Sequence, residues 1–219
     1  MELVLVRFSQ PSLRLRGKNL DYKMSGKNYQ TQIVELNRMK KNNRLPGDLT
    51  SEQLVKRMIR VDHAGEYGAA RIYDGQLRLL QGTPSEPIIQ EMSRQEQRHL
   101  DYFNTLVIER EVRPTILSPL WHVAGYGLGV VSAARGEKAA MTCTVAVEAV
   151  IDEHYQGQIN QLEENETDLR EKLSEFRNDE IDHRETASKQ IDTSNPGLKV
   201  FENMVRSATR TAIWLSERF

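Results

Sequence analysis

The chain has one cysteine, Cys143, in 219 residues, so no disulfide can form within it, and this cysteine usage suits a reducing compartment. Strand signals are nearly missing. Alternation of apolar and polar residues never lasts, and the β-branched run "TCTVAVEAVI" lies inside a helix-length window. No glycine-rich nucleotide fingerprint occurs, so an electron donor is not readable from the residues. Net charge is also small, at -1. That balance hides an asymmetry: residues 1–47 carry ten Lys or Arg against three Asp or Glu, which leaves the remainder acidic by eight. The basic stretch is short and loop-like and gives no footprint for nucleic acid.

With 38% hydrophobic and 28% charged residues, the chain suits one large domain with a real core. Residues 1–48 predict a basic, loosely ordered arm, and residues 49–219 the organised domain. The opening "MELVLVRFSQPSLRLRGKNL" loosely fits an organelle transit peptide, fits a plain extension of a bacterial protein at least as well, and is a poor secretory signal. Thr50 and Gln53 have capping-box spacing, and a first helix runs from there toward Gly82. Ser85 and Pro87 open a second, which stops before Pro114. Further helices are expected over about 137–163, 167–190 and 198–218. The architecture expected is all-α: a four-helix bundle with a long crossover, residues 115–136, and an extra C-terminal helix.

Two phrases carry the chemistry. "RQEQRHLDYF" places Glu96 three residues before His99, and "RNDEIDHRE" places Glu180 three before His183. Residues three apart share a helix face, so each pair can aim a carboxylate and an imidazole at one point. A lone Glu precedes each phrase at a similar distance: Glu66 thirty residues before Glu96, Glu148 thirty-two before Glu180. Four carboxylates and two imidazoles from four helices match the di-iron or di-manganese site of ferritin-like bundles. Their charge would balance two divalent cations. Glu makes up 21 of 219 residues, so two such spacings among five histidines arise by chance in roughly 7% of chains. The surroundings decide against chance, because Glu148 lies among Val145, Val147, Val150 and Ile151, where a carboxylate needs a partner.

Other groups are candidates for supporting roles. His154 and Tyr155 follow Glu148 and can reach the cavity, and His63 lies three before Glu66. Asp62 and Asp152 lie one turn from Glu66 and Glu148, where a carboxylate can orient a ligating imidazole. His122 belongs to the crossover, and Cys143 is expected to be a packing residue. The crossover has no formal charge from Thr115 to Ala134, yet Pro119 and its glycines argue against a spanning helix and for insertion at an interface. The last helix sets Val200, Met204, Ala208 and Leu215 against Lys199, Arg206 and Arg210, which suits a membrane surface or the flank of the bundle.

The phrases "RMIRVDHAGEYGAARIYDGQ", "VRPTILSPLWHVAGYGLG", "CTVAVEAVIDEHYQGQI", "FRNDEIDHRE" and "AIWLSERF" resemble the demethoxyubiquinone hydroxylase family of ubiquinone biosynthesis over residues 52–219. The resemblance implies a ferritin-like monooxygenase that uses two iron ions and O2 to hydroxylate the ring of a polyprenyl demethoxy-quinol. It assigns the iron ligands to Glu66, Glu96, His99, Glu148, Glu180 and His183, with Glu96 and Glu180 bridging. Electrons derived from NADH are implied too. So is a peripheral place on a membrane, at the cytoplasmic face in a bacterium or the matrix side of the mitochondrial inner membrane. Partners implied are the membrane-embedded quinol and the membrane surface, with other ubiquinone-biosynthesis proteins or a second copy of the chain compatible. Where the family often has His, this chain has Glu153. A ferritin-type storage protein would share the metal pattern but form a soluble shell with little use for the uncharged crossover. A metal-free helical scaffold would bind no iron.

Overall fold

The computed structural model describes residues 47–191 and 194–219. The expected arm of residues 1–48 lies almost wholly outside the described residues. The compact unit Leu49–Phe219 contains six helices, and no strand occurs among the described residues. They are α1 (Ser51–Leu79), α2 (Glu86–Glu109), α3 (Ser118–Ala134), α4 (Glu137–Ile159), α5 (Thr167–Ser188) and α6 (Pro196–Ser216).

Local chemistry sets the ends. Thr50 and Gln53 form the reciprocal cap of α1, with the Thr50 hydroxyl accepting from Gln53 N at 3.1 Å and the Gln53 side chain accepting from Thr50 N at 2.9 Å. Gly82, at φ +75, makes the left-handed turn after α1. Ser85 opens α2 without capping it: its N–H and hydroxyl both donate to Glu137, at 2.9 and 2.6 Å. Asn195 caps α6, accepting from Gly197 N at 2.9 Å.

Two antiparallel hairpins, α1 with α2 and α4 with α5, make the bundle, and α6 packs on α4. Ile59, Phe103, Leu173 and Tyr155 fill one end of the core; Tyr73, Ile89 and Met141 fill the other. The buried middle is polar. Asp152 of α4 accepts from Arg177 at 2.7 Å and Arg184 at 2.8 Å, which ties α4 to α5.

The crossover is mostly helix, which its glycines and proline obscured in the sequence. Pro119 falls in the first turn of α3, where its missing N–H costs nothing. The glycines let α3 approach α1 closely. A Cβ on Gly129 would lie 2.1 Å from the carbonyl oxygen of Ile72, and one on Gly75 would lie 2.3 Å from that of Tyr126. Among the described residues no helix is long and apolar enough to cross a membrane. Outward from the contact with α1, α3 and the turn before it expose Ile116, Leu120, Val123 and Val131, while α6 exposes Val200, Met204 and Trp214. The Trp121 indole donates to Ser216 at 3.1 Å and joins α3 to the end of α6.

Candidate metal centre

Four helices each deliver acid to the polar middle: α1 gives Glu66, α2 gives Glu96 and His99, α4 gives Glu148, and α5 gives Glu180 and His183. None of the six is more than 3% exposed. Their ligand atoms form two groups, each within 4.8 Å: Glu66, Glu96, His99 and Glu180, then Glu96, Glu148, Glu180 and His183. Glu96 and Glu180 belong to both. His99 Nδ1 lies 3.1 Å from Glu180 and 3.5 Å from Glu66, and His183 Nδ1 lies 3.2 Å from Glu96 and 3.3 Å from Glu180.

These inward atoms are close without being bonded. Glu66 Oε2, both oxygens of Glu96 and of Glu180, Glu148 Oε2, and Nδ1 of both histidines have no hydrogen-bond partner. Buried polar atoms are rarely left so. Eight orphaned donor atoms converging in two groups are what cations, rather than protons, would satisfy, and carboxylate with imidazole suits iron or manganese.

The outward atoms are bonded, in a pattern that repeats between the two halves of the bundle. His99 Nε2 donates to Asp179 at 3.1 Å, and His183 Nε2 donates to Gln95 at 2.5 Å. Each acceptor is the residue before a shared glutamate, on the opposite hairpin. Such bonds fix the tautomer so that Nδ1 faces inward. The ring of Phe176 stacks on His99 at 4.0 Å. Two tyrosines hold the unshared glutamates: Tyr155 of α4 donates to Glu66, and Tyr73 of α1 donates to Glu148 at 2.7 Å. Each tyrosine follows its own helix's glutamate by seven residues, two turns on, and bonds the glutamate of the other helix.

Electrostatics match the crowding. Burial, then the charges of Glu180 and Glu66, pushes Glu96 well above the ordinary carboxylate range, and burial with Glu180 and Glu96 does the same to Glu148. Burial also opposes the charge on Glu180, but His183 and His99 outweigh it and hold this carboxylate down to about 2. Burial favours the neutral form of both imidazoles as well. The facing carboxylates prevail, raising His99 to about 12 and His183 to about 11. Left to protons alone, the cluster therefore takes them up; divalent cations would release them. Tyr73 and Tyr155 are pushed well above their usual range by burial and by the neighbouring glutamates, so they stay neutral donors.

The remaining candidates lie elsewhere. His154 is in neither group; it lies 3.3 Å from Asp62, with its Nε2 2.9 Å from Gln158. His63 meets Asn104 at 3.0 Å, and His122 meets Tyr67 at 2.5 Å. Asp62 accepts from Gln158 at 2.7 Å and Asp152 binds two arginines, so the imidazoles of the cluster are oriented by Asp179 and Gln95 in their place. Glu153 pairs with Arg210 at 3.0 Å. Cys143 is fully buried in the core, where burial pushes its thiol up to about 12. Sequence reasoning missed Tyr73, Gln95 and Asp179. A repeated Glu-to-Tyr spacing of seven, at 66/73 and 148/155, is the signal that could have found the first.

A cavity of about 300 Å³ lies between α1, α3, α4 and α6. Its walls are mainly apolar and include Ile72, Leu128, Val147 and Ile213; the buried Glu66 and Tyr155 also line it. Trp121 and Ser216 also line it, at the contact of α3 with α6.

Comparison with known proteins gives matches over nearly all of this unit. Residues 53–216 match the family model for ubiquinone biosynthesis protein COQ7. The NADPH-dependent 3-demethoxyubiquinone 3-hydroxylase of Dictyostelium discoideum mitochondria is 50% identical over 169 residues, covering 76% of this chain and 78% of the relative. The 3-demethoxyubiquinol 3-hydroxylase of Rhodospirillum rubrum is 43% identical over 176 residues, 80% of this chain and 83% of the relative. The human mitochondrial protein, named as the Dictyostelium one is, is 44% identical over 175 residues, with 78% and 81% covered.

Proposed function

The chain belongs to the COQ7 family of ubiquinone biosynthesis proteins, and on that premise we propose that residues 49–219 form a monooxygenase domain that hydroxylates the ring of a polyprenyl demethoxy-ubiquinol. The observation that carries this reading is the cluster of eight orphaned donor atoms, one of whose residues, Glu66, lines an apolar cavity. Glu66, His99, Glu148 and His183, together with Glu96 and Glu180, which belong to both groups, would hold a pair of iron ions. When bound, the irons supply the activation of O2.

The protein's own residues do the rest. Asp179 and Gln95 hold the imidazoles with Nδ1 inward, and Tyr155 and Tyr73 hold the end carboxylates by neutral hydrogen bonds. Ile72, Leu128, Val147 and Ile213 exclude water and give the quinol ring apolar surface beside Glu66. That cavity reaches Glu66 and does not include Glu148 among its walls, so the ring approaches the end of the site held by Glu66 and His99. A polyprenyl tail stays in the bilayer, and the exposed apolar residues of α3 and α6 beside the cavity would rest there. On this reading the protein rests peripherally on a membrane, at the cytoplasmic face in a bacterium or the matrix side of the inner membrane in a mitochondrion. Electrons come from a reduced nicotinamide; the names of several relatives specify NADPH.

The test uses the iron-loaded chain on liposomes that contain a demethoxy-quinol, with O2 and a reductant. Mass spectrometry should find one added oxygen atom in the ring, and the protein should float with the lipid. Glu180→Ala should abolish product and reduce bound iron while helical circular dichroism persists. Product formation by this variant at the parent rate would rule out the shared-carboxylate site.

A further inference from the structure

Two cavities meet at one histidine. The apolar cavity beside Glu66 and an outer, more polar cavity of about 180 Å³ both include Val61 and His154 in their walls. Arg57, Glu153, Gln161 and Glu217 also line the outer one. His154 keeps 18% of its side chain exposed. Behind it, Asp62 is 3% exposed, lines the inner cavity, and leaves Oδ2 without any hydrogen-bond partner. Its Oδ1 accepts from Gln158 at 2.7 Å and faces His154 Nε2 at 3.3 Å. A buried carboxylate with an orphaned oxygen on a cavity wall is costly to keep, and the metal cluster does not use it.

We propose that His154 and Asp62 form a proton-transfer link from solvent to the buried apolar cavity. The inference rests on the hydroxylase reading, whose chemistry requires such a supply. One turnover breaks a ring C–H bond and forms C–O–H, and it reduces the second oxygen atom of O2 to water. It therefore takes two electrons from the reductant and two protons; a hydride donor brings one proton with its electron pair, so at least one comes from solvent. The cavity walls offer few ionisable groups: Asp62, Glu66, His154 and Tyr155. Glu66 and Tyr155 bond each other at the metal site, which leaves Asp62 and His154 for transfer.

Gln158 lets the link reset. Its amide donates to Asp62 Oδ1 and, at 2.9 Å, to the unprotonated Nε2 of His154. When Nε2 takes a proton, that nitrogen faces Asp62 Oδ1 as a donor instead. The proton passes to Asp62, whose carboxyl can present it to the cavity through Oδ2. Burial raises the affinity of Asp62 for a proton above that of an ordinary carboxylate, against the opposing pull of His154 and Gln158. The charged groups around the link are Glu66 and Arg57 on α1, Glu153 on α4, paired with Arg210 on α6, and Glu217 just beyond α6; the neutral Tyr102 faces it from α2.

The test compares the full iron-loaded chain with Asp62→Asn in the quinol-containing liposomes. Turnover should fall about a hundredfold, with KM for the quinol, iron content and thermal unfolding unchanged. In the iron-loaded chain, where cations keep the carboxylates of the cluster deprotonated, a protonated-carboxyl infrared band that titrates above the ordinary carboxylate range should disappear in the variant. His154→Ala should lose turnover and regain part of it with added imidazole. If the parent chain yields no hydroxylated quinol, the function itself is refuted and the link with it. If the parent hydroxylates while Asp62→Asn turns over within about twofold of it, only the link is refuted. If Asp62→Asn loses iron, His154→Ala decides: imidazole rescue supports the link, and loss of activity without rescue overturns it.

Discussion

At the scale of single residues, the two histidines and the two unshared glutamates of the candidate site are each backed by an outward bond. Tyr73 shows what that backing is worth. Its hydroxyl is the partner of Glu148 Oε1, and both residues are buried from bulk solvent. Tyr73→Phe should therefore weaken iron binding or turnover by roughly 10- to 100-fold with the fold intact. Competition against a calibrated chelator reads the effect, and unchanged affinity together with unchanged turnover would deny Tyr73 its role. Four of the six candidate ligands were legible in the sequence because three-residue spacing on a helix means one face, and Glu66 and Glu148 because they precede those pairs at similar distances. Their supports were not. Asp179 and Gln95 bond histidines of the opposite hairpin, so no local spacing announces them. Asp62 and Asp152 had the right local offset from Glu66 and Glu148 but meet Gln158 and two arginines across the helix interfaces.

At the scale of elements, the informative case is α3. Glycine lowers helix propensity, so along the sequence Gly125, Gly127 and Gly129 look like interruptions. Packing gives Gly125 and Gly129 the opposite role, since a Cβ at 125 would lie 2.8 Å from the carbonyl oxygen of Gly68 and one at 129 would strike the carbonyl of Ile72. The glycine spacing is what lets α3 lie against α1 and roof the apolar cavity. Gly129→Ala should cost about 1–3 kcal/mol through this overlap, or displace α3. Thermal unfolding measures the first and opening of the cavity to a fluorescent apolar probe the second; a variant indistinguishable from the parent in both would show that the contact is slack. Capping residues, by contrast, acted as their local chemistry predicts at Thr50 and Gln53, because both partners lie within one turn.

At the scale of the whole molecule, the cluster links stability to pH and to metal. His99 and His183 are raised in the folded chain, so their contribution is complete below the unfolded histidine value of about 6.5. It is lost as pH rises toward about 11 and 12. Glu96 and Glu148 are raised too, so the cost of charging them in the fold also grows with pH. Glu180 acts in the opposite sense: its contribution is present above about 4.5 and disappears as pH falls through about 2. The chain without metal should thus melt at a lower temperature at pH 9 than at pH 6. Loading with iron or manganese should raise the melting temperature and flatten that slope, because cations take the place of the protons. Calorimetry at the two pH values, with and without metal, checks both statements; identical slopes would mean that the cluster does not bind cations in the fold.

Sequence by itself determined the helical class, most helix boundaries and the doubled Glu and Glu-x-x-His pattern, because each depends on residues within a few turns of one another. The tertiary structure alone decided which glutamates belong to both groups, which tyrosine holds which glutamate, that the crossover is a helix, and that His154 lies between two cavities. Those outcomes depend on how four faces meet, and pairings between distant segments leave no trace in the spacing along any one of them.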